Sequence, residues 1–434
     1  GGGGGAGGAG GAGGGGAGGT GQPGGGGDGG AGIVVQGNPG ATVINNESGA
    51  SIAGGAGGTG GASSNGGAAG ASGAGGVGIR GANLQINNSG TIAGGLGGDG
   101  MPAAAVQFTG GSNTLALRSG SVINGRVDVG SGATGLIQSQ AAGLSMGDLA
   151  LGGAATLDAG AGNSLDVAGT VSGGGALSVT GAGTVALTGA NTYSGGTSVN
   201  GGNLRIASAQ ALGSGAVSVS GGSLTGTADL TIGSALSLSG AARLGAAAGT
   251  TMNLSSVMSL AGGTDLVIGS TTDTGVVNAN GGSALNSPVG TLRIAGGTLR
   301  GSTAGFWSAN MSSTTIDAGA TLDFGSGAGS VLNLQGAGKV QAGADLYVSA
   351  GSFSGEISGA GTLVKNGTST LALSGSNSYT GGTALKQGRL DLGSNGALST
   401  GELAMDDGTT LGFVADGLNI ANNIRMTGTN DPVI

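Results

Sequence analysis

The sequence predicts an all-β fold, a parallel β-solenoid, and three observations carry that expectation. Short strings of alternating character recur between turn residues, as in Thr114-Leu115-Ala116-Leu117, Thr184-Val185-Ala186-Leu187, Asn203-Leu204-Arg205-Ile206, Ala216-Val217-Ser218-Val219 and Val331-Leu332-Asn333-Leu334. Residues 171–215 align without gaps on residues 357–401 at an offset of 186, with 20 of 45 positions identical. Strands continue for most of the chain with only 5 Phe, 3 Tyr and 1 Trp.

Alternation with period two is the strand signal, because successive side chains of a strand point to opposite faces. Val, Leu and Ile hold one face of these strings and Ala, Ser, Thr or Asn the other. No helical periodicity of ten or more residues is present. A sandwich or barrel limits strand number and spends aromatic residues on its core. A narrow solenoid instead stacks small aliphatic residues coil on coil, and an internal repeat of short strands means such a quasi-one-dimensional stack. With about 20–25 residues per coil and ~4.8 Å between stacked strands, residues 101–434 supply on the order of 15 coils.

Residues 1–100 read differently. Of residues 1–32, 23 are Gly, and the other residues are not scattered at random. Ala6, Ala9 and Ala12 fall three apart, as do Ala53, Ala56, Thr59, Ala62, Asn65, Ala68, Ala71, Ala74 and Val77, then Ala93, Leu96, Asp99 and Pro102. Three residues per turn is the period of the extended left-handed polyproline II helix. That helix has no internal hydrogen bonds, so its glycine edges are open to neighbouring helices. Two readings follow: packed polyglycine II helices, or flexible loops. Collagen is excluded by the 5 Pro of the chain. Between the tracts lie two cassettes, residues 44–55 and 86–95, each two β-prone strings around an Asn-Asn-turn. They are expected to be coils of the solenoid, with the tracts inserted between them.

Composition narrows the function. Gly numbers 113 of 434 residues, charged residues are 7% and apolar residues 37%. Disordered chains are rich in charge and poor in Val, Ile and Leu, so most of the chain is expected to be ordered. The net charge of −8 argues against nucleic acid as a partner. No apolar run reaches the roughly 20 residues of a membrane-spanning helix. The chain has no Cys, hence no disulfide and no thiolate metal site, and no His, so neither a Ser-His-Asp nor a Cys-His set can be assembled. The first residue is Gly1 and no signal peptide precedes it; the chain is expected to be a piece of a longer precursor.

Residues 143–147, Gly-Leu-Ser-Met-Gly, fit G-x-S-x-G around Ser145, but that elbow needs a strand-to-helix turn and a His. Residues 94–102 fit one calcium-binding nonapeptide, without the second copy that would complete six to eight oxygen ligands. Leu157-Asp158, Leu165-Asp166, Leu322-Asp323 and Leu390-Asp391 repeat a Leu-in, Asp-out pattern expected to form a solvated acidic face, and Asp406-Asp407-Gly408 reads as a turn. Tyr193 and Tyr379 occupy equivalent repeat positions and are expected to stack at coil corners. Phe306-Trp307 is the densest aromatic pair and marks the place for an unusual loop. No catalytic, cofactor-binding or metal residue is assigned, and no cofactor.

Residues 191–197, Asn-Thr-Tyr-Ser-Gly-Gly-Thr, followed by Gly201-Gly202-Asn203-Leu204-Arg205-Ile206 and Ala211-Leu212-Gly213-Ser214-Gly215, resemble the passenger-associated transport repeat of type V autotransporters. Residues 377–401 match it again, with Lys386-Gln387-Gly388-Arg389-Leu390 in the middle. The Asn-Asn-Ser-Gly-Thr-Ile cassette and residues 106–115 resemble the amino-terminal parts of such passengers. The resemblance implies export, passage through an outer-membrane β-barrel translocator carried by the full-length precursor, and a right-handed β-helix displayed outside the cell, anchored or released. The function expected is that of a non-enzymatic structural and adhesive surface passenger, self-associating, with matrix or glycans as further partners. The alternative is a carbohydrate-active enzyme or glycan-binding module on the same scaffold.

Overall fold

The computed structural model describes residues 24–37, 40–63, 68–280, 290–301, 311–427 and 432–434. The pair Phe306-Trp307 and residues 1–23 lie outside them. The chain divides into two compact units, Gly1–Arg205 with Gln210–Gly215, and Ile206–Ala209 with Ala216–Ile434. Each is a parallel β-solenoid. Among the described residues the only helical element is a single 3-10 turn, Ala209–Leu212, which buries Ala211 and Leu212, and no helix is long and apolar enough to cross a membrane.

In the first unit the two cassettes are successive coils, as expected. Strand Thr42–Asn46 pairs in parallel with Leu84–Asn88, setting Ile44 on Ile86, Asn45 on Asn87 and Asn46 on Asn88, while Ser51–Ala53 sets Ile52 on Ile92 of Thr91–Ala93. Further coils follow in the same register: Leu144 pairs with Leu165 and Leu165 with Val185, Met146 with Val167 and Val167 with Leu187. Side chains that bridge neighbouring coils join residues 20 to 22 apart, the rise of one coil.

The second unit repeats the principle. One column runs Leu224, Leu244, Ile268, Ile294, Ile316; another runs Met252, Val277, Leu299, Leu322, Val340, Ile357. All eleven residues are at most 2% exposed. Burying one such side chain contributes about 1.5–3 kcal/mol, so a stack of modest residues replaces a core of large ones.

The face assignment from alternation holds at Val185, Leu187, Leu204 and Ile206, all at most 1% exposed, with Ala186 and Arg205 half-exposed between them. It fails in Val331-Leu332-Asn333-Leu334. Val331 and Leu334 are both buried and Leu332 is exposed, because strand Gly329–Gly336 turns a coil corner within its length.

The glycine tracts take the packed form. Residues 24–32, 54–61, 70–78 and 94–98, here tracts 1 to 4, are extended segments that hydrogen-bond to one another at every third residue. Gly26, Gly29 and Gly32 donate from tract 1 to Ala71, Ala74 and Val77 of tract 3 at 2.8, 2.9 and 2.9 Å. Gly55, Gly58 and Gly61 of tract 2 donate to Gly30, Gly27 and Gly24 at 2.7, 2.8 and 2.8 Å. Gly70, Gly73 and Gly76 of tract 3 donate to Gly61, Gly58 and Gly55, and Gly95 and Gly98 of tract 4 to Gly76 and Gly73. Tracts 1 and 3 therefore run parallel, and tract 2 runs against both. The unbroken spacing from Ala53 to Val77 thus crosses a chain reversal, and Asn65 falls in the undescribed residues between tracts 2 and 3.

Candidate interaction surface

Glycine is obligatory inside this bundle. A Cβ on Gly26 would stand 2.0 Å from the Gly58 oxygen, and one on Gly73 would stand 2.1 Å from the Gly27 oxygen. Every third residue can carry a side chain only because it faces outward, as Ala56, Thr59, Ala62, Ala71, Ala74, Leu96 and Asp99 do. Beside tract 1 lies a groove of about 620 Å³ whose lining includes Asp28, Val34, Val77, Arg80 and Thr109. Asp28 turns its carboxylate onto the Ala74 N–H at 2.7 Å.

The repeated segments are internal clips. In the first, Asn191 Oδ1 accepts from the Val171 N–H at 2.7 Å while its Nδ2 donates to the Ala211 carbonyl at 2.7 Å. One buried amide thus ties three successive coils. In the second, Asn377 repeats both bonds, to the Ile357 N–H at 2.8 Å and to the Ala397 carbonyl at 2.6 Å. Tyr193 and Tyr379 are 0% and 1% exposed, and burial pushes each phenol up to about 12. They are core residues at coil corners, as expected, and offer no surface to a ligand.

The repeats differ at one inward position. Val179 of the first is buried, and the second has Lys365 there, 0% exposed. Its ammonium donates to the Gly367 carbonyl and, at 3.0 Å, to the Gln387 carbonyl, and burial lowers its pKa. Alternation and the repeat alignment together place a cation in an apolar column here; the sequence reading did not use that signal. It also passed over the Asn rungs of the cassettes, where Asn46 Nδ2 donates to Asn88 Oδ1 at 2.7 Å and Asn88 Nδ2 to Ser121 Oγ at 2.6 Å.

Charged side chains pair off singly. In the second unit Arg293 meets Asp317 at 2.7 Å, Lys339 meets Glu356 at 3.4 Å, Lys386 meets Asp406 at 3.2 Å and Arg425 meets Glu402 at 2.6 Å, each pair bridging neighbouring coils. Arg126 with Asp128, and Arg389 with Asp391, pair along one strand. The Ser378 hydroxyl, and then Lys339, hold Glu356 below the usual carboxylate range. Exposed pairs of this kind contribute at most about 1 kcal/mol each. Among the described residues no three Asp or Glu side chains come together as a metal site would require.

The candidate residues fall as follows. Ser145 is exposed on strand Leu144–Met146, which leads into strand Leu149–Leu151 rather than a helix, so the elbow geometry is absent. In residues 94–102, Asp99 Oδ1 accepts from the Met101 N–H at 2.9 Å, and Leu96 bridges Pro102, which makes a tight reversal. Asp158, Asp166 and Asp391 are half-exposed, but Asp323 is 5% exposed, which corrects its place on a solvated face. The chain turns a corner after Asp323, and the carboxylate accepts from the Gly325 N–H and Arg300 Nε, both at 2.8 Å. Asp406 and Asp407 do lie at a turn, where the Thr409 N–H donates to the Asp406 carbonyl.

A family profile, the passenger-associated-transport-repeat, matches residues 177–206 and 363–392, the strands that lead into and out of the two clips. The chain is also 37% identical over 105 residues to the adhesin BmaC autotransporter of Brucella suis biovar 1 (strain 1330). That stretch covers 24% of this chain and 3% of the relative's length. No solved structure matches the chain. The two repeat matches, the similarity to an autotransporter adhesin and the parallel solenoid together support an autotransporter passenger domain. Such a passenger is displayed at the bacterial surface, held by the outer membrane or released from it.

Proposed function

We propose that this passenger is a structural and adhesive surface protein that associates with copies of itself, and that it is not an enzyme. The observation that supports it most is the distribution of charge: among the described residues ion pairs are single and spread along the coils, and no three Asp or Glu side chains come together, whereas catalysis needs ionisable groups to converge. The rest of the outward surface is largely Gly, Ala, Ser, Thr and Asn. These side chains cost little entropy to order and let two backbones approach closely. The similar Brucella protein is an adhesin by name, which agrees with this reading.

The test is display. The passenger on its own translocator, in a bacterium that does not otherwise clump, is compared with the translocator alone in settling of the culture and in retention on matrix-coated and glycan-coated surfaces. Self-association predicts settling that requires the passenger on both cells of a mixed culture. Equal behaviour of the two strains in all assays would reject the reading.

A further inference from the structure

Two cationic side chains stand alone. Most of the Lys and Arg side chains are paired, but those of Arg80 and Arg243 make no hydrogen bond or ion pair among the described residues. Arg80 differs from Arg243 in its place, for it lines the groove of about 620 Å³ beside tract 1. The strands put it there. Arg80 is in register with Val34 of strand Ile33–Val34 and with Gln107 of the next coil. Ile79 before it is 0% exposed, so alternation turns Arg80 outward. The Val35 N–H donates to the Arg80 carbonyl at 2.9 Å and holds the two strands together at this point.

Other polar groups of the groove are uncommitted too. Strand Val106–Leu117 shifts register where Gly81 faces Phe108 and Ala82 faces Gly110, and Thr109 is the extra residue. A bulge re-aims a side chain, and Thr109 is exposed here at the groove. Gln36 is exposed and lines it as well. Neither side chain has a hydrogen-bond partner among the described residues. Asp28 gives one carboxylate oxygen to the Ala74 N–H at 2.7 Å and keeps the other. Val34 and Val77 add apolar surface.

This set of groups selects a ligand by its chemistry. An unpaired guanidinium takes a carboxylate through two parallel N–H···O bonds. A carboxylate oxygen, an amide and a hydroxyl suit a ligand rich in hydroxyl groups, and the valines suit aliphatic C–H faces. The lining has no second cation and no aromatic ring, so it fits one negative charge rather than a polyanion and an aliphatic body rather than a flat aromatic one. Its volume lies within the range of small-ligand sites, about 300–1,000 Å³.

We propose that this groove binds an acidic saccharide, a sugar residue bearing one carboxylate, with that carboxylate on the Arg80 guanidinium and its hydroxyls on Asp28, Gln36 and Thr109. The site lies within the first unit and does not depend on self-association.

The full 434-residue chain is titrated calorimetrically with two acidic probes, an oligomer of galacturonate and sialyllactose, and with their neutral counterparts, the methyl ester of the first and lactose. The parent is expected to bind at least one acidic probe at least about tenfold more tightly than its neutral counterpart, and the probe that binds tells a uronate from a sialate. Arg80→Gln should weaken that binding at least about tenfold. Arg80→Lys keeps the charge without the fork and should fall between the two. Arg243→Gln changes the net charge equally but lies outside the groove, and it should bind as the parent does. A parent that binds neither acid, or binds acid and neutral probes alike, would overturn the site. So would an Arg80→Gln variant that binds undiminished, or an equal loss in Arg243→Gln, which would leave only general charge attraction. Because none of these measurements reads settling of cells, failure of the site leaves the self-association reading standing.

Discussion

Tyr193 and Thr197 meet inside the first repeat, hydroxyl to hydroxyl, at 2.5 Å, and the Thr197 hydroxyl donates its own hydrogen bond to the Leu212 carbonyl at 3.1 Å. That order fixes the tyrosine as donor to the threonine. Tyr379 and Thr383 repeat the contact at 2.6 Å. A four-residue spacing thus lets one coil corner grip the next without an aromatic cluster.

The two partners are not equivalent. Tyr193→Phe removes a donor and leaves Thr197 with its carbonyl, so the cost should be about 1 kcal/mol. Thr197→Val strands a buried phenol, which should cost about 1–3 kcal/mol. Urea unfolding of the two variants checks the order. Equal losses would mean that the threonine is not the relay.

Alternation assigns faces, and a charge on the wrong one is expensive. Val185→Asp or Leu187→Asp should lose about 3–5 kcal/mol, because a carboxylate enters a column only 0–1% exposed. Ala186→Asp should lose well under about 1 kcal/mol, the residue of its repulsion from Asp166 in the neighbouring coil. Proteolysis rates in mild denaturant separate the two classes.

This much of the fold was legible because alternation depends only on nearest neighbours. What was not legible depends on where a coil turns. Leu332 and Asp323 both sit where the strand pattern meets a corner, and a corner moves the inward side by one residue. Asn191 reads as a turn residue, yet its amide is buried because both of its ends find backbone groups of adjacent coils. In the glycine tracts the period was legible and the pairing was not, since reversing an extended glycine chain leaves its spacing unchanged.

Inside the bundle a single methyl should be felt. Gly73→Ala places a Cβ 2.1 Å from the Gly27 oxygen and Gly76→Ala one 2.1 Å from the Gly30 oxygen. Neither neighbour is a flexible side chain, so tract 1 must move away. Amide exchange at Gly26, Gly29 and Gly58 should rise at least about tenfold, equivalent to roughly 1.4 kcal/mol of local stability. Gly25→Ala should leave these amides as they are. Unchanged exchange in Gly73→Ala would show that the tracts are not held at hydrogen-bonding distance.

Lys365 supplies a pH dependence whose sign can be worked out. Burial lowers its pKa in the folded chain from the ordinary 10.5, so the unfolded chain binds the proton more tightly. Below the folded value both states are protonated and the full penalty of the buried cation is present. As pH climbs from the folded value towards 10.5 the folded amine sheds its proton first, and stability rises. The buried tyrosines act in the opposite sense. Their pKa is raised to about 12, so from pH 10 upward the unfolded chain ionises first and stability falls. The parent should therefore gain stability as pH rises towards 10.5 and lose it again through the tyrosines from pH 10 upward. Lys365→Met restores the apolar column that Val179 keeps in the first repeat, and should abolish the gain while sparing the loss. Tyr379→Phe should soften the loss while sparing the gain. Urea midpoints of the three proteins between pH 7 and 12 decide it, and a Lys365→Met curve that rises in parallel with the parent's would remove Lys365 as the cause.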